Sequence, residues 1–292
     1  MIERFAIIIG SMKSGTTTLA NNLGRHPAVA LSNPKEPGFF AFDDVFEKGA
    51  DWYEGLFRFD PAVHRVALEG STDYTKFPFC PQSAERIRAF GRDMRLIFMM
   101  RHPLRRIESH ARHVQGAGRE LGMTNSDRPD HSLDAGVSPV NLAASQYASQ
   151  LERYRDFFEA GRLKLFTLER LESHPEDVLR EACAYLDLDP SRMPLEVTHE
   201  NRAKTIARAP DAGPLWKAAA SLGPVTGVMK RLVPQKMKAD LYNRLRPEKK
   251  VVGRFKLTQE EEMRLAETLA SDLRRLRDDF GVDAAKEWGM VL

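Results

Sequence analysis

The stretch "FAIIIGSMKSGTTTLANNL", from Phe5 to Leu23, constrains the fold more than any other part of the chain. A continuous apolar run with no polar alternation reads as a strand buried on both faces, and such strands belong to parallel sheets covered by helices. The run ends in a glycine-bounded loop and passes at once into a helical pattern. In that arrangement the first backbone N–H groups of the helix, Ser14 to Thr17, have no acceptor four residues back and face an anion. Gly10 and Gly15 stand at the spacing of a nucleotide-triphosphate loop, but Thr16 and Thr17 occupy the places where such a loop keeps its lysine and its magnesium-binding hydroxyl. The lysine, Lys13, is inside the turn instead. The loop is suited to a phosphate, though not to a β/γ pair clamped with magnesium.

Four more short runs read as buried strands: "AVAL" from Ala28, "VALE" from Val66, "RLIFMM" from Arg95 and "LKLFTL" from Leu163. Helical patterns between most of them give an α/β class, a P-loop-like three-layer fold with a central parallel sheet of about five strands flanked by helices. Pro81, Pro139 and Pro175 fit first helical positions, the latter two behind the candidate caps Ser138 and His174; Thr258 with Glu261 has the spacing of a capping box. Beyond Asn201 no strand signal remains. The expected organisation is a single domain over 1–292, with an α/β core over 1–200 and a helical C-terminal extension over 201–292 that contributes to closing the cofactor site and to the acceptor site. The polar, glycine-rich segment from Gln115 to Ser138 has the length of a lid or binding loop.

The fourth run ends in "IFMMRHPLRRIESHAR". Where a P-loop NTPase commonly has a magnesium-organising aspartate, this chain has Arg101, with Ser109 eight residues further on. A guanidinium fork and a hydroxyl at the start and second turn of a helix suit a second phosphate. The two elements together resemble the cofactor loops of sulfotransferases that use 3′-phosphoadenosine 5′-phosphosulfate (PAPS). The resemblance implies that Lys13, Ser14, Gly15, Thr16 and Thr17 hold the 5′-phosphosulfate, and that Arg101 and Ser109 hold the 3′-phosphate.

"NPKEPGFF", Asn33 to Phe40, and "LEGSTDYT", Leu68 to Thr75, extend the resemblance toward the bacterial and heparan-sulfate branches of that family, as do "QYASQLERYRDFF" and the closing "LRRLRDDFGVDAAKEW". It implies Glu36 as general base for the acceptor hydroxyl, with Glu69 and Asp73 as alternatives, and Lys13 as the cation that stabilises the leaving phosphate. "VGRF", ending at Phe255, resembles a closing Gly-Arg segment and adds Arg254 to the cofactor set. One departure stands out: the lysine that the family carries after the third-strand glutamate is Gly70 here, which leaves Lys35 and Lys76 as candidate substitutes. The implied reaction is sulfuryl transfer from PAPS to a hydroxyl of a small molecule, lipid or saccharide, with no metal required. The alternatives are a P-loop nucleotide or metabolite kinase, disfavoured by the loop composition, and a nucleic-acid-binding protein using the basic segment Lys230 to Lys256.

His102, His110 and His113 cluster near the second phosphate element, but two helix-spaced histidines without a third ligand make a poor metal site. The aromatic residues Phe39, Phe40, Phe42, Trp52 and Tyr53 fit a core better than an acceptor pocket. A net charge of +3 over 292 residues and two cysteines far apart, Cys80 and Cys183, argue against a disulfide framework and against nucleic acid as the main partner. With neither a basic leader nor an apolar run of membrane-spanning length, a cytoplasmic setting without an integral membrane segment is expected.

Overall fold

The computed structural model describes residues 1–117, 137–194 and 255–290. Five strands, β1 (Arg4–Gly10), β2 (Val29–Leu31), β3 (Val66–Glu69), β4 (Asp93–Met100) and β5 (Leu163–Thr167), form one parallel sheet in the order β2-β3-β1-β4-β5. All five apolar runs are therefore strands. Ile7, Ile8 and Ile9 of β1 and Ile97, Phe98 and Met99 of β4 are fully buried, as a sheet covered on both faces requires.

Two apolar layers do the covering. On one face Leu19, Ala20 and Leu23 of α1 (Thr16–Leu23) and Val178, Leu179 and Ala182 of the helix Pro175–Tyr185 pack on Ala6, Ile8, Leu68 and Met99. On the other, Leu104 and Ile107 of the helix Pro103–Ala117 pack with Tyr147 and Leu151 of the helix Tyr147–Leu151 and with the long helix Gln259–Phe280. That last helix is part of the expected C-terminal extension. It starts at the capping box, with Thr258 accepting from the Glu261 amide and the Glu261 carboxylate accepting from the Thr258 amide, and ends at left-handed Gly281. Leu265, Leu269, Leu273 and Leu276 make its buried stripe.

Helix starts follow the sequence with two adjustments. Ser138 caps the helix Pro139–Ala143 through the Asn141 amide, whereas His174 holds the cap position of the helix Pro175–Tyr185 without a side-chain bond to it, its ring engaged by the Ser173 hydroxyl. Pro81 precedes the helix Ser83–Ala89 rather than opening it, because Gln82 takes the cap position. Residues 118–136 of the long polar segment, the segment 203–247, most of the basic run and Arg254 lie outside the described residues.

The winding of the sheet changes sense at β1: β2 and β3 lie to one side of it, β4 and β5 to the other. Open α/β sheets bind ligands in the crevice beyond the carboxyl ends of strands at such a switch point. The loops after β1, β3 and β4 meet there.

Two buried carboxylates fix elements around that crevice. Asp272, on the long C-terminal helix, accepts from the amides of Ala148 and Ser149 and from the Ser149 hydroxyl, capping the helix that carries Tyr147. Glu69, at the end of β3, accepts from the hydroxyls of Tyr53, Ser71 and Tyr74. Burial outweighs those three donors and raises its carboxyl pKa to about 7.

Asp272→Ala strands two helix-start amides in a dry environment and should lower unfolding free energy by about 2–3 kcal/mol in urea titrations. Because the folded Glu69 pKa lies above its unfolded value, its contribution is fully present below pH 4.5 and is lost as pH rises through about 7. Relative to Glu69→Gln, the wild type should lose about 3 kcal/mol of stability across that window; parallel stability–pH curves for the two proteins would show that Glu69 does not titrate there.

Candidate functional site

The loop Gly10–Thr17 turns sharply because two of its residues take left-handed backbone angles, Lys13 at φ 71° and Gly15 at φ 82°. Gly10 is required by space as well: a Cβ there would lie 1.9 Å from Thr75 Oγ1. That hydroxyl donates to the Ile9 carbonyl at 2.8 Å, so the turn after β3 is seated directly on the end of β1. Gly15 is the residue before α1, and the amides of Thr16 and Thr17 open the first helical turn.

Within the loop the hydroxyls divide their work. Ser11 and Ser14 are buried and share a hydrogen bond of 2.6 Å, bracing the loop from behind. The Ser14 amide is turned to the Ser11 carbonyl at 3.3 Å, so of the amides from Ser14 to Thr17 it is the later ones that open toward the helix start. Thr17 is half-buried, and its hydroxyl accepts from Lys35 Nζ at 3.2 Å.

Arg101, at the exit of β4, reaches back to this loop with Nη1 3.5 Å from the Lys13 carbonyl oxygen. Both expected phosphate elements therefore sit side by side. Ser109 is half-buried on the helix Pro103–Ala117, one turn beyond Arg106. Arg106 is fully buried: its guanidinium donates to the Ser145 hydroxyl at 2.7 Å, to the Asn141 carbonyl and side chain, and to the Met12 carbonyl at 3.4 Å. It is a strut beneath the loop. Burial and the charges of Arg101, Arg106 and Arg112 all push the Lys13 ammonium pKa down, with Glu36 acting in the opposite sense. Such a half-buried cluster of cations is relieved by an anion of two or more charges.

Tyr147 links the two elements, a role that sequence reasoning missed. Its hydroxyl donates to the Arg101 carbonyl at 2.7 Å and accepts from the Arg101 amide at 3.3 Å, and the Ser11 and Ser14 hydroxyls help to offset the rise that burial imposes on its pKa. "QYASQ" carries no local signal of this, since the contact depends on the capping of its helix by distant Asp272. Cysteines 80 and 183 are free thiols, Cys183 buried in the core.

The three candidate carboxylates separate by environment. Glu69 is enclosed by its three hydroxyl donors, and Asp73 is paired with the buried Lys76 at 2.7 Å. The Glu36 side chain keeps 41% of its surface exposed and pairs with Lys35 Nζ at 2.6 Å. It follows the β2 exit on a loop pinned to β3, where Ser71 accepts from the Gly38 amide and Tyr74 accepts from the Phe40 amide. Phe39, Phe40 and Tyr53 are core, stacked and edge-packed on one another. Phe42 instead joins Asp44, Asp73, Lys76, Phe79 and Gln82 around a cavity of about 450 Å³ beside the same two loops.

His110 is buried against Arg106, with its pKa pushed down to about 2 by burial and that charge; His102 and His113 are also lowered, chiefly by burial. Neutral histidines fit a cationic surround. Among the described residues no group of three His, Cys, Asp or Glu side chains is placed to hold a metal, and no helix is long and apolar enough to cross a membrane.

Comparison with known proteins agrees with this geometry. The chain is 28% identical over 190 residues to mouse heparan sulfate glucosamine 3-O-sulfotransferase 5, and 33% identical over 198 residues to mouse heparan sulfate glucosamine 3-O-sulfotransferase 3A1. Each match covers 63% of this chain and 54% and 45% of the relatives, so the chain spans about half the length of these curated proteins. In fold it resembles a sulfotransferase from Alicyclobacillus acidocaldarius, with a TM-score of 0.64 at 20% identity, over 98% of this chain and 99% of that one. The profile described as "Sulfotransferase family" matches residues 6–192, a stretch that begins in β1 and takes in the Lys13 loop, Glu36 and the Arg101 element. With most of the α/β core inside that match, the chain belongs to the sulfotransferase family.

Proposed function

We propose that this protein transfers the sulfuryl group of PAPS to a hydroxyl acceptor. The observation that carries the reading is the joining of two anion sites on one crevice: the amide-lined Lys13 loop, and Arg101 with its guanidinium 3.5 Å from that loop's carbonyl. A ligand with phosphates at both ends of a ribose suits two adjoining anion sites, and the crowded cations around Lys13 suit its charge.

Lys13, Gly15, Thr16 and Thr17 hold the 5′ end through backbone amides, the ammonium and the Thr17 hydroxyl, with Ser14 bracing them. Arg101 and Ser109 hold the 3′-phosphate. PAPS supplies an activated sulfuryl: its S–O bond to the 5′-phosphate breaks, an S–O bond to the acceptor oxygen forms, and 3′-phosphoadenosine 5′-phosphate (PAP) leaves with the bonding electrons. Lys13 stabilises the charge that develops on the leaving phosphate. Glu36, the open carboxylate of the three, takes the acceptor's proton.

The cavity between the Glu36 loop and the β3 exit holds the acceptor. Phe42 and Phe79 give it apolar wall, while Asp44 and Asp73 set an acidic tone that Lys76 offsets in part. This lining supports a neutral or weakly charged hydroxyl compound with an apolar body over a polyanionic saccharide. The free thiols Cys80 and Cys183 are consistent with a reducing, cytoplasmic setting.

Lys13→Ala and Arg101→Ala should each weaken PAP binding by about 10- to 100-fold in calorimetry, the worth of a charge-assisted hydrogen bond. Wild-type affinity in both variants would remove the site assignment. Glu36→Gln should bind PAP within about twofold of wild type yet lose about 10²–10⁴-fold in turnover. Acceptors are found by incubating pools of neutral, cationic and polyanionic hydroxyl compounds with PAPS and reading the mass added by a sulfate; selective labelling of the polyanionic pool would reverse the acceptor reading.

A further inference from the structure

Lys35 stands where the donor loop and the candidate base come together. Its Nζ is 3.2 Å from Thr17 Oγ1, in the first turn behind the Lys13 loop, and 2.6 Å from Glu36 Oε1. One ammonium thus touches both the side that holds the leaving group and the side that receives the acceptor proton. A sulfuryl group passing between them passes beside that charge.

The position is built rather than incidental. The Lys35 carbonyl accepts from the Gly70 amide at 3.1 Å and from the Ser32 hydroxyl at 3.2 Å, which pins the backbone to the end of β3. The side chain then lies across Gly70: a Cβ at Gly70 would come within 3.6 Å of Lys35 Nζ and 3.8 Å of its Cε. The lysine ammonium occupies the space into which a side chain at position 70 would project. Lys76 does not compete for this place, because it is 3% exposed and its ammonium is held at Asp73, 2.7 Å away, on the β3 exit itself.

Resting on the sulfuryl-transfer reading, we propose that Lys35 is a second catalytic cation, contacting the oxygens of the transferred group, and that Gly70 leaves open the space it uses. Lys13 neutralises the leaving phosphate, whereas Lys35 bears on the sulfuryl in flight. As sulfur passes from the phosphate oxygen to the acceptor oxygen, the acceptor proton goes to Glu36 and Lys35 takes no part in the proton transfer. Its contribution is electrostatic.

This division of labour separates two ligands. PAPS carries the sulfuryl group and PAP lacks it, so Lys35→Ala should weaken PAPS about 10-fold while changing PAP by less than about threefold, measured by competition binding. Lys13→Ala should weaken both. With water as the acceptor, release of sulfate from PAPS should fall about 10²-fold in Lys35→Ala. The decisive variant is Lys35→Ala with Gly70→Lys. The backbone at Gly70 is not left-handed, a Cβ meets Ile8 at an ordinary 3.6 Å, and removal of Lys35 clears the rest, so the transplanted ammonium should recover most of the PAPS preference and of the sulfate release. A Lys35→Ala protein with the wild-type PAPS-to-PAP affinity ratio and wild-type sulfate release overturns the assignment, and a double variant that binds PAP normally but regains neither property overturns the placement at Gly70. Wild-type protein that binds neither nucleotide would fail at the earlier step, the sulfuryl-transfer reading itself.

Discussion

The absence of a side chain at Gly10 is the constraint on which the crevice depends. β1 can end in a tight anion-binding turn only if the β3 exit comes close enough to support it, and the support is the Thr75 hydroxyl on the Ile9 carbonyl. Any Cβ at Gly10 would collide with that hydroxyl, so alanine there would separate the two turns. Once they are in register, Glu69 gathers the Tyr53, Ser71 and Tyr74 hydroxyls, and Ser71 and Tyr74 in turn hold the Gly38 and Phe40 amides of the Glu36 loop. The general-base candidate is thereby fixed relative to the anion loop through one close approach between backbones.

The second strand exit is joined by different means. Arg101 and Lys13 carry like charges and would separate if left to electrostatics. Hydrogen bonds to backbone and between hydroxyls hold them together: the Tyr147 hydroxyl on the Arg101 backbone, the Ser11–Ser14 pair behind the loop, and, although it adds a further positive charge, the Arg106 guanidinium on the Met12 carbonyl. Asp272 completes the frame from the C-terminal helix by capping the helix of Tyr147. The frame keeps cations crowded before any ligand is present, so part of the cost of assembling the site is met by folding rather than by binding.

Legibility in the sequence follows the range of the interactions. The five strands, the capping box at Thr258 and Glu261, and the pairing of the Lys13 loop with Arg101 are carried by local pattern or by the order of strands in an α/β sheet. Tyr147, Asp272 and Ser145 could not be read in this way, because their partners are 39 to 124 residues away and nothing in their own neighbourhood marks them. The carboxylates show the same limit from the other side. Glu36, Glu69 and Asp73 are equivalent as letters, and only burial and partner assign Glu69 to the frame, Asp73 to Lys76 and Glu36 to the open crevice.

The crevice also brings together two lysines from different elements, Lys13 and Lys35. An ammonium close to a carboxylate is attracted to it whatever its chain position, so the Glu36 loop can bring its own cation as the adjacent residue, and Lys35 does so at 2.6 Å. The neighbouring strand must then give up volume, and Gly70 is the residue that does. Had position 70 carried a long side chain, Lys35 would be displaced toward solvent and Thr17 would lose its donor. The identity of residue 70 and the direction of Lys35 are thus one structural choice, made across the seam between β2 and β3 where the two exits are hydrogen-bonded at Gly70 and Lys35.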